Sequence, residues 1–170
     1  NLEKAENTSF EAGSTVIHTA GVAHGKHTSL TDFTKLNTEA TIKIARSAVA
    51  CGVKRFIFIS TIGVYGRYTN VPINEESQLN PISDYAKSKA CAEKMLSDIC
   101  EKCEMELVIL RPTLVYGYHA PGNIGKLVGL FKLRLPLPFG SLVNQRSFCS
   151  IEKLSKVCCM LVKDESRFLE

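Results

Sequence analysis

"KRFIFIS" occupies residues 54–60. Between its basic start and its terminal serine, every side chain is β-branched or aromatic. Nothing alternates polar with apolar, and the run is too short for an amphipathic helix. It reads as a strand buried on both faces, which is the signature of a parallel sheet covered by helices. The flanking patterns agree. "SLTDFTKLNTEATIKIARSAVACG" (29–52) is helical, with Leu36, Ala40, Ile44 and Ala48 on one face and Gly52 as its stop. "SDYAKSKACAEKMLSDICEKC" (83–103) predicts the next helix, entered through Asn80-Pro81 and capped by Ser83 or Asp84. "STVIHTAG" (14–21) and "MELVILRP" (105–112) read as further strands, the second ended by Pro112. A short helix over 123–134, a "PLPFG" loop (136–140), a strand over 146–151 and a helix over 152–164 complete the pattern. This alternation predicts an α/β fold around a parallel sheet, without internal repeat or linker.

Bulk composition narrows the function. A chain of 170 residues with 45% hydrophobic and 22% charged side chains has the make-up of a globular domain. A formal net charge of +4, with both signs interspersed, gives no electrostatic footprint for nucleic acid. No apolar run is long enough to span a bilayer, and the polar start "NLEKAENTSFEAG" is unlike a signal peptide. Seven cysteines at irregular spacing include one C-x-x-C, Cys100 and Cys103, with no second pair or nearby histidine to complete a zinc site. Free thiols in a reducing cytoplasm and no bound metal are therefore expected.

In parallel α/β sheets ligands bind beyond the carboxyl ends of the strands. Small residues, Ala20-Gly21, follow the first strand. The hydroxyls of Ser60 and Thr61 follow the second, and "RPTLVYG" follows the third. Tyr85 begins the helix on the same rim, with Lys89 one turn later on the same helix face. An ammonium beside a phenol stabilises the phenolate, so this spacing predicts a lowered tyrosine pKa and a proton-transfer group. Taken alone, Y-x-x-x-K reads better as an exposed pair on a solvated helix.

Taken in order, "VIHTAG" (16–21), Asn37 with Thr41, "FISTIGVYG" (58–66), "YAKSK" (85–89), "LRPTLVYG" (110–117) and "PLPFGSLVNQRSF" (136–148) resemble the extended short-chain dehydrogenases/reductases. The specific likeness is to the nucleotide-sugar epimerase/dehydratase branch, nearest the UDP-galactose 4-epimerase type and the sugar epimerases and 4-keto reductases of bacterial polysaccharide pathways. The resemblance implies a Rossmann-like, doubly wound NAD(P)-binding fold. Residues 1–117 would form the dinucleotide-binding domain, and 118–170 a small substrate-binding portion. It implies a catalytic Thr61, Tyr85 as acid/base and Lys89 as the ribose-binding lysine. Thr19, Ala20, Gly21, Asn37, Pro112 and Thr113 would line NAD or NADP. Asn123 and Arg146 would hold the diphosphate of a UDP-linked sugar, a role that suits a guanidinium fork. Leu114 stands where many relatives carry a sugar-contacting Asn. Epimerisation or keto-reduction is the implied chemistry, in a cytoplasmic homodimer joined through helices 29–51 and 83–103.

The family's opening strand, glycine-rich turn and helix are not seen in these 170 residues, and "STVIHTAG" resembles the family's fourth strand. About 50 residues of the first mononucleotide half are expected before it in a complete βαβαβ layout. "GNIGKLVG" (122–129) follows a loop and lacks a downstream acidic residue, so it reads as helix packing. Weak or no dinucleotide binding and an exposed "STVIHTAG" edge prone to self-association are expected of the chain as given. The rival reading is a fragment, remnant or sensor that keeps the chemical residues and no longer binds cofactor. His18 reads as a core residue with a satisfied ring, and His24 as a loop residue. His27 and His119 have no partners at metal spacing. Glu75 and Glu76 read as solvent-facing, and Cys91, Cys158 and Cys159 as packing residues.

Overall fold

Strand β2 (Arg55–Ile59) is the middle of a three-stranded parallel sheet of order β1-β2-β3, between β1 (Thr15–His18) and β3 (Glu106–Leu110). Registers run from Thr15 opposite Arg55 to His18 opposite Phe58, and from Arg55 opposite Glu106 to Ile59 opposite Leu110. This computed structural model describes residues 8–23, 29–66, 71–117, 129 and 146–163. Parallel neighbours need crossover connections, and the helices supply them. The first crossover is a continuous right-handed helical run: α1 (Leu30–Phe33), a π-helical stretch (Thr34–Glu39) and α2 (Ala40–Ala50). It ends at Gly52, whose φ of +71° lies in the left-handed region that glycine enters without strain. The second crossover holds a 3₁₀ turn (Ile62–Tyr65) and α3 (Asp84–Cys100). Ser83 is the cap, its hydroxyl accepting from the Ala86 amide at 3.1 Å, while Asp84 occupies the first turn.

The reading of residues 54–60 holds on both faces. Phe56 and Phe58 point to one side and Ile57 to the other, and all three are fully buried. The phenylalanine side packs against Ile42, Ala45 and Ala48 of α2 and Ala92 and Leu96 of α3, with Val53 and Met105 closing the ends. Small residues on both helices let them approach the two large rings. Among the described residues β1 pairs on one side only, and its Ile17 is exposed.

Some expectations change. The inner face of the 29–52 helix centres on Asn37, Thr38, Thr41, Ala45 and Ala48, whereas Leu36 and Ile44 are only half-buried. The π turn shifts the phase of the residues before Ala40, so a single 3.6 period misassigns them. Cys91 and Cys159 are exposed, and of the three helical cysteines read as packing only Cys158 is buried. Of the helix anticipated at 123–134 only Gly129, which is helical, lies among the described residues. Strand β4 (Leu114–Tyr116) was not anticipated; it pairs in parallel with β5 (Phe148–Ser150). The helix α4 (Ile151–Val162) follows, its first turn capped by the Ser150 hydroxyl. The chain divides into compact units Asn1–Pro112 and Thr113–Glu170. The sequence reading put the boundary after residue 117; β4, paired with β5, belongs to the second unit. No described helix is long and apolar enough to cross a membrane.

The close fit of Leu96 under the two rings sets its cost of removal. Leu96→Ala is expected to lower stability by about 2–5 kcal/mol, the range for a leucine cavity that cannot collapse. Urea denaturation of the chain and its variant checks this.

Candidate active site

Three segments of the first unit converge at the carboxyl end of β2. The Lys89 ammonium, on the second turn of α3, donates to the Ile59 carbonyl at 2.8 Å and lies 4.4 Å from the centre of the Phe58 ring. Gly21, in the segment after β1, touches the same place. A β-carbon added there would lie 3.1 Å from Asn37 Oδ1 and 3.4 Å from Lys89 Nζ. Only a bare backbone passes at that distance without displacing its neighbours.

The π-helical stretch holds this segment in place. The Asn37 carboxamide accepts from the Val22 amide at 2.7 Å and donates to the Val22 carbonyl at 2.9 Å, pairing with it as a neighbouring strand would. Its Nδ2 also donates to Ser88 Oγ at 3.1 Å, and Ser88 Oγ donates to the Tyr85 carbonyl at 2.8 Å. Thr38 Oγ1 donates to the Ser88 carbonyl at 2.8 Å. Asn37, read from sequence as lining a cofactor, thus grips the loop after β1 and the first turns of α3. Thr19 and Gly21 are exposed, and Ala20 and Pro112 are half-buried.

Thr61 caps the 3₁₀ turn, its Oγ1 accepting from the Gly63 amide at 3.1 Å. A β-carbon on Gly63 would lie 3.4 Å from Thr61 Oγ1 and 3.7 Å from Ala86 Cβ, so the Thr61 turn abuts the start of α3 next to Tyr85. The Ile62 amide donates to the Pro112 carbonyl at 2.9 Å, tying this turn to the end of β3. Thr61, Tyr85, Lys89, Gly21, Asn37 and Pro112 therefore all lie in the first unit. Thr113 and the exposed Arg146 lie in the second. Asn123 lies outside the described residues, as do His24, His27 and His119.

The electrostatics correct one expectation. The i,i+4 spacing predicts a phenol acidified by Lys89, but burial pushes the Tyr85 pKa up. The phenol is half-buried with the Phe33 ring 6.2 Å away, and the lysine is engaged by the Ile59 carbonyl and the Phe58 ring. Lys89 itself is lowered to about 8 by burial, opposed by the Glu93 carboxylate. His18 is buried as anticipated, stacked beside Phe56 and Phe58 with Nε2 2.9 Å from Thr41 Oγ1. Burial, then the Lys89 charge, brings its pKa down to about 4. Cys100 is pushed up to about 11 by burial, by Cys103 and by a hydrogen bond with it, which leaves an unreactive thiol. Among the described residues no His, Cys, Asp or Glu cluster could hold a metal ion.

Sequence reasoning missed Ser88, Glu93, Arg111 and Tyr65. Glu93 continues the Tyr85–Lys89 spacing by another turn, a signal that was available. The pairing of Glu93 with Arg111 and the contact of Arg111 with Tyr65 are tertiary and left none.

The residue pattern and the sheet now meet the comparisons with known proteins. The profile of the NAD dependent epimerase/dehydratase family matches residues 3–168. The chain is 42% identical over 146 residues to the UDP-glucose 4-epimerase of Vibrio cholerae, covering 82% of this chain and 44% of that protein. It is 34% identical over 127 residues to UDP-arabinose 4-epimerase 1 of Arabidopsis thaliana, covering 72% of this chain and 30% of that one. The fold matches that of a UDP-glucuronic acid 4-epimerase from Bacillus cereus at TM-score 0.79 and 22% identity, over 89% of this chain and 50% of that one. The chain belongs to the NAD dependent epimerase/dehydratase family. It spans under half the length of these two curated relatives.

His18 gives the fold a titration of its own. Its folded pKa of about 4 is below its ordinary 6.5, so the unfolded chain binds the extra proton first. The stability contributed by neutral His18 is complete above pH 6.5 and is lost as pH falls through about 4. The loss is expected to be on the order of 3 kcal/mol. Urea midpoints at several pH values should show this acid slope, and His18→Gln should flatten it.

Proposed function

We propose that this chain supplies the nicotinamide-side catalytic residues of an NAD(P)-dependent enzyme that epimerises or keto-reduces a UDP-linked sugar. The observation that carries the reading is the buried Lys89 ammonium, held at the carboxyl end of β2 beside a glycine whose β-carbon would crowd Asn37 and Lys89. The relatives add support. The Vibrio cholerae protein is a UDP-glucose 4-epimerase, and the Bacillus cereus structure is in complex with NAD.

The residues present fit a dinucleotide at this end. Gly21 brings bare backbone to the rim, and the Ser60 hydroxyl, buried at the end of β2, has no hydrogen-bond partner among the described residues. Lys89 has three N–H donors, of which one goes to Ile59, so the rest suit ribose hydroxyls. A bound dinucleotide would supply the hydride acceptor and donor at a sugar carbon.

The chain's own groups do the remaining work. Tyr85 takes the proton from the reacting sugar hydroxyl and returns it. It does so as the phenolate; burial raises its pKa in the free chain, so the phenol must first give up its own proton to solvent before it can accept one from the sugar. Thr61 Oγ1 accepts from the Gly63 amide, which leaves its own hydrogen to donate to the reacting oxygen. Arg146 pairs with the sugar-nucleotide diphosphate, with Asn123 as its companion. A homodimer through helices 29–51 and 83–103 belongs to this reading, supported by Cys91 and Met95 on one exposed face of α3.

Two measurements test it. In a turnover assay of the protein carrying this chain, Tyr85→Phe is expected to reduce the rate about 10²–10⁴-fold while leaving dinucleotide affinity nearly intact. Turnover at the parent rate would remove Tyr85 from the mechanism. Millimolar NAD added to the isotopically labelled protein carrying this chain should perturb the Gly21, Val22, Tyr85 and Lys89 resonances. Unmoved resonances at all four would overturn the site.

A further inference from the structure

Glu93 is an unexpected residue to find inside this fold. It is 3% exposed, as is Lys89 one turn before it on α3. Burying a carboxylate is costly unless it is paired and hydrogen-bonded. Here the pairing is complete. Arg111, the residue before Pro112, donates from Nη2 to Glu93 Oε2 at 2.8 Å and from Nε to both carboxylate oxygens at 3.2 Å. The other guanidinium arm donates to the Tyr65 hydroxyl, at the end of the turn that begins after Thr61, and the guanidinium lies 5.1 Å from that ring's centre. One carboxylate thereby joins α3, the end of β3 and the Thr61–Tyr65 turn.

We infer that Glu93, clamped by Arg111, is a positioning residue that keeps the buried Lys89 ammonium charged while tying together the three segments around it. The groups facing Lys89 leave few alternatives. β1 presents His18, which is neutral near pH 7. The 21–22 loop and the π stretch present Gly21 and the Asn37 carboxamide. β2 presents the Phe58 ring and the Ile59 carbonyl, and α3 presents Tyr85 and Glu93. Among the described residues facing Lys89, only Glu93 brings a formal negative charge near pH 7. Without it, burial would discharge the lysine near neutrality, and Arg111 would stand behind it as a second positive charge. The inference rests on the proposed function only for what the lysine charge is used for.

The test is the titration of Lys89 in the intact chain, followed through its ε-carbon resonance after selective lysine labelling, without dinucleotide. Glu93→Gln keeps the shape and removes the charge, and is expected to lower the Lys89 midpoint by about one pH unit. Arg111→Gln removes the compensating cation, and is expected to raise the midpoint. A purely structural clamp would lower thermal stability in both variants and leave both midpoints at the parent value, and that outcome overturns the inference. If Glu93→Gln does not fold, the Arg111→Gln variant and the neutral pair Glu93→Gln/Arg111→Gln decide. The pair is expected to lower the midpoint below that of Arg111→Gln, and an unchanged midpoint in both again overturns the inference. Because no dinucleotide is present, failure of cofactor binding cannot imitate either result.

Discussion

The bond from the Lys89 ammonium to the Ile59 carbonyl is the constraint on which the rest of the site depends. It fastens the second turn of α3 to the last residue of the central strand. A buried cation forces its surroundings to supply acceptors, π density and opposite charge, or lose the charge. The Ile59 carbonyl, the Phe58 ring and Glu93 meet those needs in turn. The demand also reaches the first crossover, because a β-carbon at Gly21 would crowd both the Asn37 carboxamide and the ammonium.

A polar layer runs under this site where a hydrophobic seam would ordinarily join the helices. His18, Asn37, Thr38, Thr41 and Ser88 are all buried, and each hydrogen-bonds to a partner on another segment. Such a layer contributes little net stability, yet it penalises any other register heavily, since each slipped partner leaves a buried polar group unpaired. The apolar core of Phe56, Phe58, Ala92 and Leu96 binds the helices to the sheet. The polar layer fixes where along the sheet they stop, which is what an active site needs.

Much of this was legible in the sequence because it was local. The two-sided burial of residues 54–60, the Ser83 cap region, the stop at Gly52 and the shared face of Tyr85 and Lys89 follow from spacing and residue chemistry. The Tyr85 titration was read in the wrong direction, because i,i+4 spacing says which face a side chain shares and not which carbonyl or ring its charge prefers. The bonds of Asn37 to Val22 join residues 15 positions apart, a relation that no local pattern encodes. Strand β4 escaped notice because three residues carry almost no periodic signal, and its pairing with β5 is set by the second unit.

The π-helical stretch at Thr34–Glu39 has a consequence for how this region tolerates change in length. A π turn is an α-helical turn carrying one surplus residue, and one residue is worth about 100° of helical rotation. The stretch therefore acts as a phase adjuster between two helical pieces. Its C-terminal side is locked to the sheet by Ile42, Ala45 and Ala48, and its own Asn37 and Thr38 are held by Val22 and Ser88, with Phe33 beside the Tyr85 ring. Removing the surplus residue would restore a regular helix, and in doing so would swing Asn37 away from Val22 and Ser88 while leaving the apolar core of α2 untouched. Site and core are thus separately phased along one continuous helix, so the first can be retuned by a single-residue change in length without repacking the second.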